Sequence, residues 1–432
     1  MKINWFCPLP PAKTSIAGDY LAGILPSLSQ HSELTLWTDQ SQWDRNLEQF
    51  AKVRRYDPHR LSWPELNQDD VTFYNVGNNH FFHASIWQVS RQHPGIVVLH
   101  DLRVHNFFDS LYRAQWRDLA GYFDAIKRYY GADGLSAAKE FVNGAINIDF
   151  MTEHYPLTPH ALENCLAVVV HTAEAFEQVE AMRQWPVAQV SLPRALPTQH
   201  DDDAVRPAAP PYRLIMFGYM GRNRRLDAVL EALGNLTERH SFRLDIFGEI
   251  ADGRSLRRRI AKLGLGDLVQ LHGYTPETEL NKMLQQSHIA INLRYPTMGE
   301  ASGSQLRIWY HALPSLVTDV GWYSSLPRDA VAHVRPEQEI ADIQSHLQAF
   351  LKDPESFAQM GQRGLRTLRE QHDPEKYVKA ILELAAQAPQ FRVRKSAYDL
   401  ARHVGMTMGP WTSNAGQEPI RIAEKIYEIC GD

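Results

Sequence analysis

Residues 293–321 read LRYPTMGEASGSQLRIWYHALPSLVTDVG and set one carboxylate, Glu300, in a loop of small residues between two apolar stretches. Ser302 has the chemistry of a helix N-cap, and Gln305, three positions on, completes a capping box. A helix is therefore expected from near Gly303 to a stop before Pro314. Such a helix start offers uncapped backbone N–H groups and the positive end of a dipole, and Gly303 permits close backbone approach, which together suit an anion such as phosphate. Glu300 lies just outside that donor cluster, where it can accept hydrogen bonds from ligand hydroxyls without meeting the anion. The bland alternative, a solvated carboxylate beside a plain cap, explains an isolated match of this kind equally well.

A second stretch weighs against the bland alternative. GYMGRNRRLD, 218–227, puts Gly218, Gly221, Arg222, Arg224 and Arg225 directly after an apolar run and before the helical pattern LDAVLEALGNL. Guanidinium groups stay charged at any relevant pH and match phosphate oxygens. Positive charge at a helix start opposes the dipole, so an anion site accounts for these arginines better than a solvated helix face does. The run RSLRRRIAKLG, 254–264, reads most simply as such a solvated face.

Other candidates also follow apolar runs. After IVVL come His100 and Asp101, where a histidine can bond a substrate hydroxyl or pair structurally with the aspartate. Gly18 and Asp19, in PLPPAKTSIAGDY, stand where a helix can open toward a cleft, though a proline-rich turn and cap explain them too. His80, His83, His105 and His171 read as structural. The acidic run at 201–203 sits in proline-rich sequence and reads as solvated charge rather than a metal site.

The elements that must carry these residues are legible as alternation. INWFC, LTLWT, VTFYNVG, IVVLHD and LAVVVHT in the first half, and RLIMFGY, FRLDIFGE, LVQLHGY, IAINLR and SLVTDVG in the second, read as strands separated by amphipathic stretches. In open parallel sheets ligands bind at the carboxyl ends of strands, where every candidate falls. The expected organisation is α/β: a domain over 1–195, a linker over 196–212 rich in proline and aspartate, a second domain over 213–375, and a helical tail over 376–432. An inserted helical stretch is expected between Asn106 and Leu162. Which domain the tail packs on is left open.

Composition bounds the chemistry. The chain has 432 residues, 44% hydrophobic, with 45 basic against 50 acidic side chains and a formal net charge of -5, so a nucleic-acid partner held by phosphate contacts is not expected. Cys7, Cys165 and Cys430 are too scattered for a disulfide framework or a metal site. No apolar run reaches the ~18 residues of a membrane span, and the start lacks a leader pattern, so a cytoplasmic protein is expected.

Taken in order, PLPPAKTSIAGDY, VVLHD, VVVHT, FGYMGRNRRLDAVLEAL, LDIFGE, LVQLHGYTPETEL and NLRYPTMGEASGSQLRIWYHALPSLVTDVG resemble the retaining nucleotide-sugar glycosyltransferases of GT-B fold, group 1 type, over most of the chain. The resemblance implies two Rossmann-like domains facing across a cleft, the first for the acceptor and the second for the donor. It implies Glu300, with His100 and Asp101, at the reacting sugar, and Gly18 and Asp19 on the acceptor side. Gly218, Gly221, Arg222, Arg224, Gly273, Tyr274, Ser302, Gly303, Ser304, Gln305, Leu306 and Arg307 are then placed at the donor. A hexose would pass from a UDP- or GDP-linked donor to a glycan, lipid-linked or protein acceptor with retention and without metal or further cofactor, with contact at the inner membrane surface where the acceptor is a lipid. The family's second glutamate is replaced at or near Arg307, so the ribose contact must be made differently, and Arg307 is expected to add to phosphate neutralisation. Arg224 holds about the place of the family's lysine. Two alternatives stand beside this reading: a sugar-nucleotide epimerase of the same fold, and a non-catalytic partner subunit that binds nucleotide sugar.

Overall fold

The computed structural model describes residues 1–10, 16–196, 206–408 and 425, with side chains throughout except at 16–19 and 406–408. The acidic run at 201–203 and Cys430 lie outside the described residues. Seven strands form the first sheet: β1 (Lys2–Phe6), β2 (Glu33–Thr38), β3 (Lys52–Arg55), β4 (Val71–Val76), β5 (Ile96–Leu99), β6 (Ala167–Val170) and β7 (Val187–Gln189). Six form the second: β8 (Tyr212–Phe217), β9 (Phe242–Phe247), β10 (Val269–Gly273), β11 (Ile289–Asn292), β12 (Ser315–Thr318) and β13 (Ala332–Val334). All pairings are parallel, in the orders β3-β2-β1-β4-β5-β6-β7 and β10-β9-β8-β11-β12-β13.

Strands covered on both faces must be mostly apolar, and β4, β5, β6, β11 and β12 are buried along their whole length. The three strands that the apolar pattern does not reveal, KVRR at β3, VAQ at β7 and AHV at β13, are short and lie at sheet edges, where burial on both faces is not required.

Between β5 and β6 the chain builds the inserted helical layer: His105–Asp109, a π-helical turn over Ser110–Gln115, Leu119–Val142 bent at Gly131, and Ile148–His154. His105 is part of this layer's interior. Its Nδ1 donates to the Tyr155 carbonyl at 2.6 Å and its Nε2 meets the Tyr122 hydroxyl at 2.9 Å, which accounts for it structurally.

The tail packs on the first domain. Helix Pro374–Ala386 buries Tyr377, Val378 and Ile381 against helix Ile16–His31, where Ser27 Oγ donates to Glu375 at 2.6 Å. The following helix, Ala388–Met408, reaches the amino end of β4, with Arg392 donating to the Asp70 carbonyl. Cys7 and Cys165 are buried, and Cys7 Sγ donates to the Pro8 carbonyl at 3.1 Å. Among the described residues no helix is long and apolar enough to cross a membrane.

The two sheets present their carboxyl ends to each other across loop 294–302. The Arg103 N–H donates to the Met298 carbonyl at 2.8 Å, and Thr172 Oγ1 donates to the Gly299 carbonyl at 3.1 Å. Gly299 has φ 75° and lies so close to the first domain that a Cβ there would stand 2.6 Å from Leu102 Cβ. A side chain at this position would both strain the backbone and push the domains apart.

Candidate functional site

Glu300 is positioned by its own loop. One carboxylate oxygen, Oε2, accepts the Met298 N–H at 2.6 Å, while Oε1 lies 3.2 Å from Arg294 Nε in charge contact but without hydrogen-bond alignment. Arg294 lies two residues past β11 and is partly buried; against the cost of burial its charge is favoured by Glu300, Tyr323 and Asp101. Arg224, from the 3₁₀ turn Arg222–Arg224 after β8, is 6% exposed and donates from Nη1 to Asn292 Oδ1 at 2.8 Å. Burial first, and then repulsion from Arg294, pull its pKa down to about 9, so it stays charged at neutral pH. Arg224 Nε, Arg294 Nε and Glu300 Oε1 are buried with no hydrogen-bond partner among the described residues. Such capacity is costly to leave unused inside a protein, and a ligand of mixed charge and hydroxyl character would use it.

Glycines let the chain turn under these side chains. Gly218 has φ 102°, and a Cβ there would stand 3.0 Å from Arg224 Nη2. Gly221 caps the 3₁₀ turn, and Arg222 is exposed at its start. At the end of β10, Gly273 has φ 69° and Tyr274 is 64% exposed; Tyr219, two residues past β8, is also exposed.

The helix predicted near Gly303 runs over Gly303–Tyr310, and Ser302 Oγ caps it by accepting the Gln305 N–H at 3.1 Å. The reciprocal half of the capping box is absent. Gln305 is fully buried, accepts from Asn292 Nδ2 at 3.0 Å and donates to Ser315 Oγ at 2.8 Å. It therefore locks the amide that holds Arg224, and its side chain does not face a ligand. Leu306, 1% exposed, belongs to the apolar cluster that runs from Trp5 through Trp309 to Tyr377, which removes its side chain from the donor set as well. The N–H groups of Gly303 and Ser304 stay at the open start of the helix.

Arg307 is the clearest correction. Its guanidinium is held by helix Glu277–Gln286, donating to Asn281 Oδ1 at 2.8 and 3.1 Å and pairing with Glu277 at 3.0 Å. A side chain whose charge is already matched adds little to phosphate neutralisation. Arg225, the remaining arginine of the run, is likewise spent on Glu339, which it grips with bonds of 2.7–2.9 Å.

Across the interface the first domain contributes Asp101 and a set of histidines at the ends of β4, β5 and β6. Asp101 Oδ2 accepts the Asn78 N–H at 2.7 Å, and burial together with the nearby Glu300 carboxylate pushes its pKa up to about 7. His100 is half-buried and its Nε2 donates to Asn75 Oδ1 at 3.1 Å, an oxygen that also accepts from the Tyr20 hydroxyl at 2.7 Å. Burial, and then His171 and His83, hold His100 well below the usual histidine range, so it is neutral. His83 donates from Nδ1 to the Asn75 carbonyl, and His171 from Nδ1 to that of Val190; burial lowers both to about 4. His80, at the start of its helix, is lowered by burial. Gly18 and Asp19 fall in the first turn of helix Ile16–His31, after β1, and their side chains lie outside the described residues.

Sequence reasoning missed Arg294, Asn292 and Asn75. Arg294 had a signal, since it is the first charge after a buried strand. The two asparagines lie within apolar strands and declare themselves only through the groups that they hold.

Residues 199–367 match the family described as glycosyl transferases group 1. Among solved structures the chain is similar to WaaG, a glycosyltransferase involved in lipopolysaccharide biosynthesis, at 12% identity over 89% of this chain and 99% of that one, with a TM-score of 0.58. It is similar to sucrose-phosphate synthase from Thermosynechococcus elongatus at 14% identity over 90% and 98%, with a TM-score of 0.59. HepE from Anabaena, in complex with UDP and glucose, is 12% identical over 90% and 100%, with a TM-score of 0.58. These likenesses establish the GT-B fold. No curated protein matches the chain by sequence.

Proposed function

We propose that this GT-B chain, with its group 1 glycosyl transferase match over 199–367, moves a hexose from a UDP- or GDP-linked donor to a glycan, lipid-linked or protein acceptor with retention of configuration. The observation that carries the reading is the buried Glu300–Arg294 ion pair, whose Oε1 and Nε meet at 3.2 Å without a hydrogen bond, beside Arg224 Nε, which has no hydrogen-bond partner among the described residues, where the two domains meet. The complex of Anabaena HepE with UDP and glucose supports the choice of donor.

The chemistry follows from these groups. Breaking the bond between the sugar and the diphosphate leaves negative charge on the departing nucleotide, and Arg224, Arg294 and the N–H groups of Gly303 and Ser304 meet it without a metal or cofactor. Glu300 holds donor-sugar hydroxyls. The acceptor hydroxyl attacks from the face that the diphosphate leaves, and its proton passes to a phosphate oxygen. His100, neutral and fixed by the bond that its Nε2–H donates to Asn75, orients the sugar by accepting a hydroxyl hydrogen bond at Nδ1 rather than by acting as a base.

A thermal-shift panel of UDP-, GDP-, ADP- and dTDP-sugars in EDTA tests the donor site. One nucleotide should stabilise the wild type by a few degrees, and the shift should vanish in Arg224→Ala. Stabilisation by none, or by all only with added metal, would overturn the reading.

A second reading draws on the Asp101–Glu300 carboxylate pair, because two neighbouring carboxyl groups, one with its pKa pushed up to about 7, are what acid and base catalysis in an epimerase needs. Incubating donor alone separates the two: an epimer forms without acceptor, whereas transfer requires one.

A further inference from the structure

A second concentration of charge lies at the pole of the first domain opposite the cleft. The loops leading into β5, β6 and β7 meet there, and helix Ala388–Met408 crosses beneath them. They enclose a cavity of about 520 Å³, within the ~300–1,000 Å³ usual for small-molecule sites.

Six cations, Arg91, Arg128, Arg183, Arg394, Lys395 and Arg402, line it against two carboxylates, Glu163 and Asp399. Both carboxylates are already committed. Glu163 pairs with Arg128 at 2.8 Å and Arg91 at 3.5 Å, and His160, with these arginines, holds its carboxyl down at about 2. Asp399 pairs with Lys395 at 2.7 Å. Arg183 and Arg402 are exposed and have no ion pair or side-chain hydrogen bond among the described residues. In a chain with a formal net charge of -5, an excess of cations around one concavity is not what the average surface supplies.

We propose that this pocket binds a phosphomonoester carried on a ring, such as a sugar phosphate, at a site separate from the interdomain cleft. A dianion answers two unpaired guanidinium groups better than a single carboxylate does, and the fork of each arginine matches phosphate oxygens. Tyr129, Trp185 and the partly exposed Tyr398 line the same cavity and offer faces on which a ring can stack. The site also gives the tail helix a role, because Arg402 reaches it only when that helix is docked on the first domain.

Isothermal titration with glucose 6-phosphate and inorganic phosphate, and flotation with phosphatidylcholine vesicles carrying phosphatidic acid as the minor lipid, test the proposal and separate a soluble ligand from a lipid head group. Three proteins are compared: wild type, Arg183→Ala/Arg402→Ala, and Arg224→Ala. Each lost charged contact should weaken binding about tenfold. Binding of the free ester that is lost in the double variant and kept in Arg224→Ala supports a soluble phosphate. Vesicle binding alone overturns the ring-borne ligand, because phosphatidic acid presents its phosphomonoester without a ring. Binding of neither probe, or binding that survives the double substitution while the unliganded melting temperature is unchanged, overturns the site.

Discussion

Replacing Asp101 by asparagine should flatten the dependence of stability on pH. The amide keeps the shape and can still accept the Asn78 N–H that Asp101 Oδ2 accepts at 2.7 Å. In the wild type, burial and then the Glu300 carboxylate raise the Asp101 pKa from 3.8 to about 7. Between those values the folded chain keeps a proton that the unfolded chain has released. The contribution is therefore full below the lower value and is lost as pH rises through the upper one. Each tenfold change in proton affinity is worth about 1.36 kcal/mol, so the interval amounts to on the order of 4 kcal/mol, an upper bound because the pair shares its titration. Above about pH 7 the variant should melt about 5 °C higher than the wild type, and near the unfolded pKa the two should coincide. Scanning calorimetry across this range measures the difference. Melting temperatures that run parallel, or a gap that widens toward acid, would refute the placement of a buried, charge-repelled carboxyl opposite Glu300.

Glu300→Gln should lower kcat about 100-fold or more while leaving the UDP-induced thermal shift intact, since Glu300 is assigned to the sugar and not to the nucleotide; unchanged turnover would remove it from the reacting centre. Arg307→Ala should cost no more than about 1 kcal/mol of stability and leave nucleotide affinity unchanged, because its charge is spent on Glu277 and Asn281; loss of nucleotide binding in titration calorimetry would return it to the donor site. Gly299→Ala should destabilise by about 1–3 kcal/mol and lower kcat, through a strained φ and a clash with Leu102; a variant with wild-type melting and turnover would show that the close approach does not matter.

Local rules were enough for the alternation of strands and helices. Runs such as VTFYNV and IVVL are buried along their length, and a mostly apolar sequence, its polar members paired, survives that placement. The Ser302 cap and the turn after β8 were legible for the same reason, because side chain and backbone interact within a few residues. Direction was not legible. Arg224 and Arg307 are the same residue type near two strand ends, yet one is driven onto Asn292 and the other onto Asn281, a choice made by partners 68 and 26 residues away. Gln305 fits a capping box in sequence, but the buried Asn292 and Ser315 compete for its amide and win. The facing of Asp101 and Glu300, the orphaned guanidinium nitrogens and the docking of the tail on the first domain exist only once two sheets share an interface. Sequence thus determined which groups stand at the strand ends, and tertiary structure decided which of them meet, because burial and pairing are settled by neighbours distant in the chain.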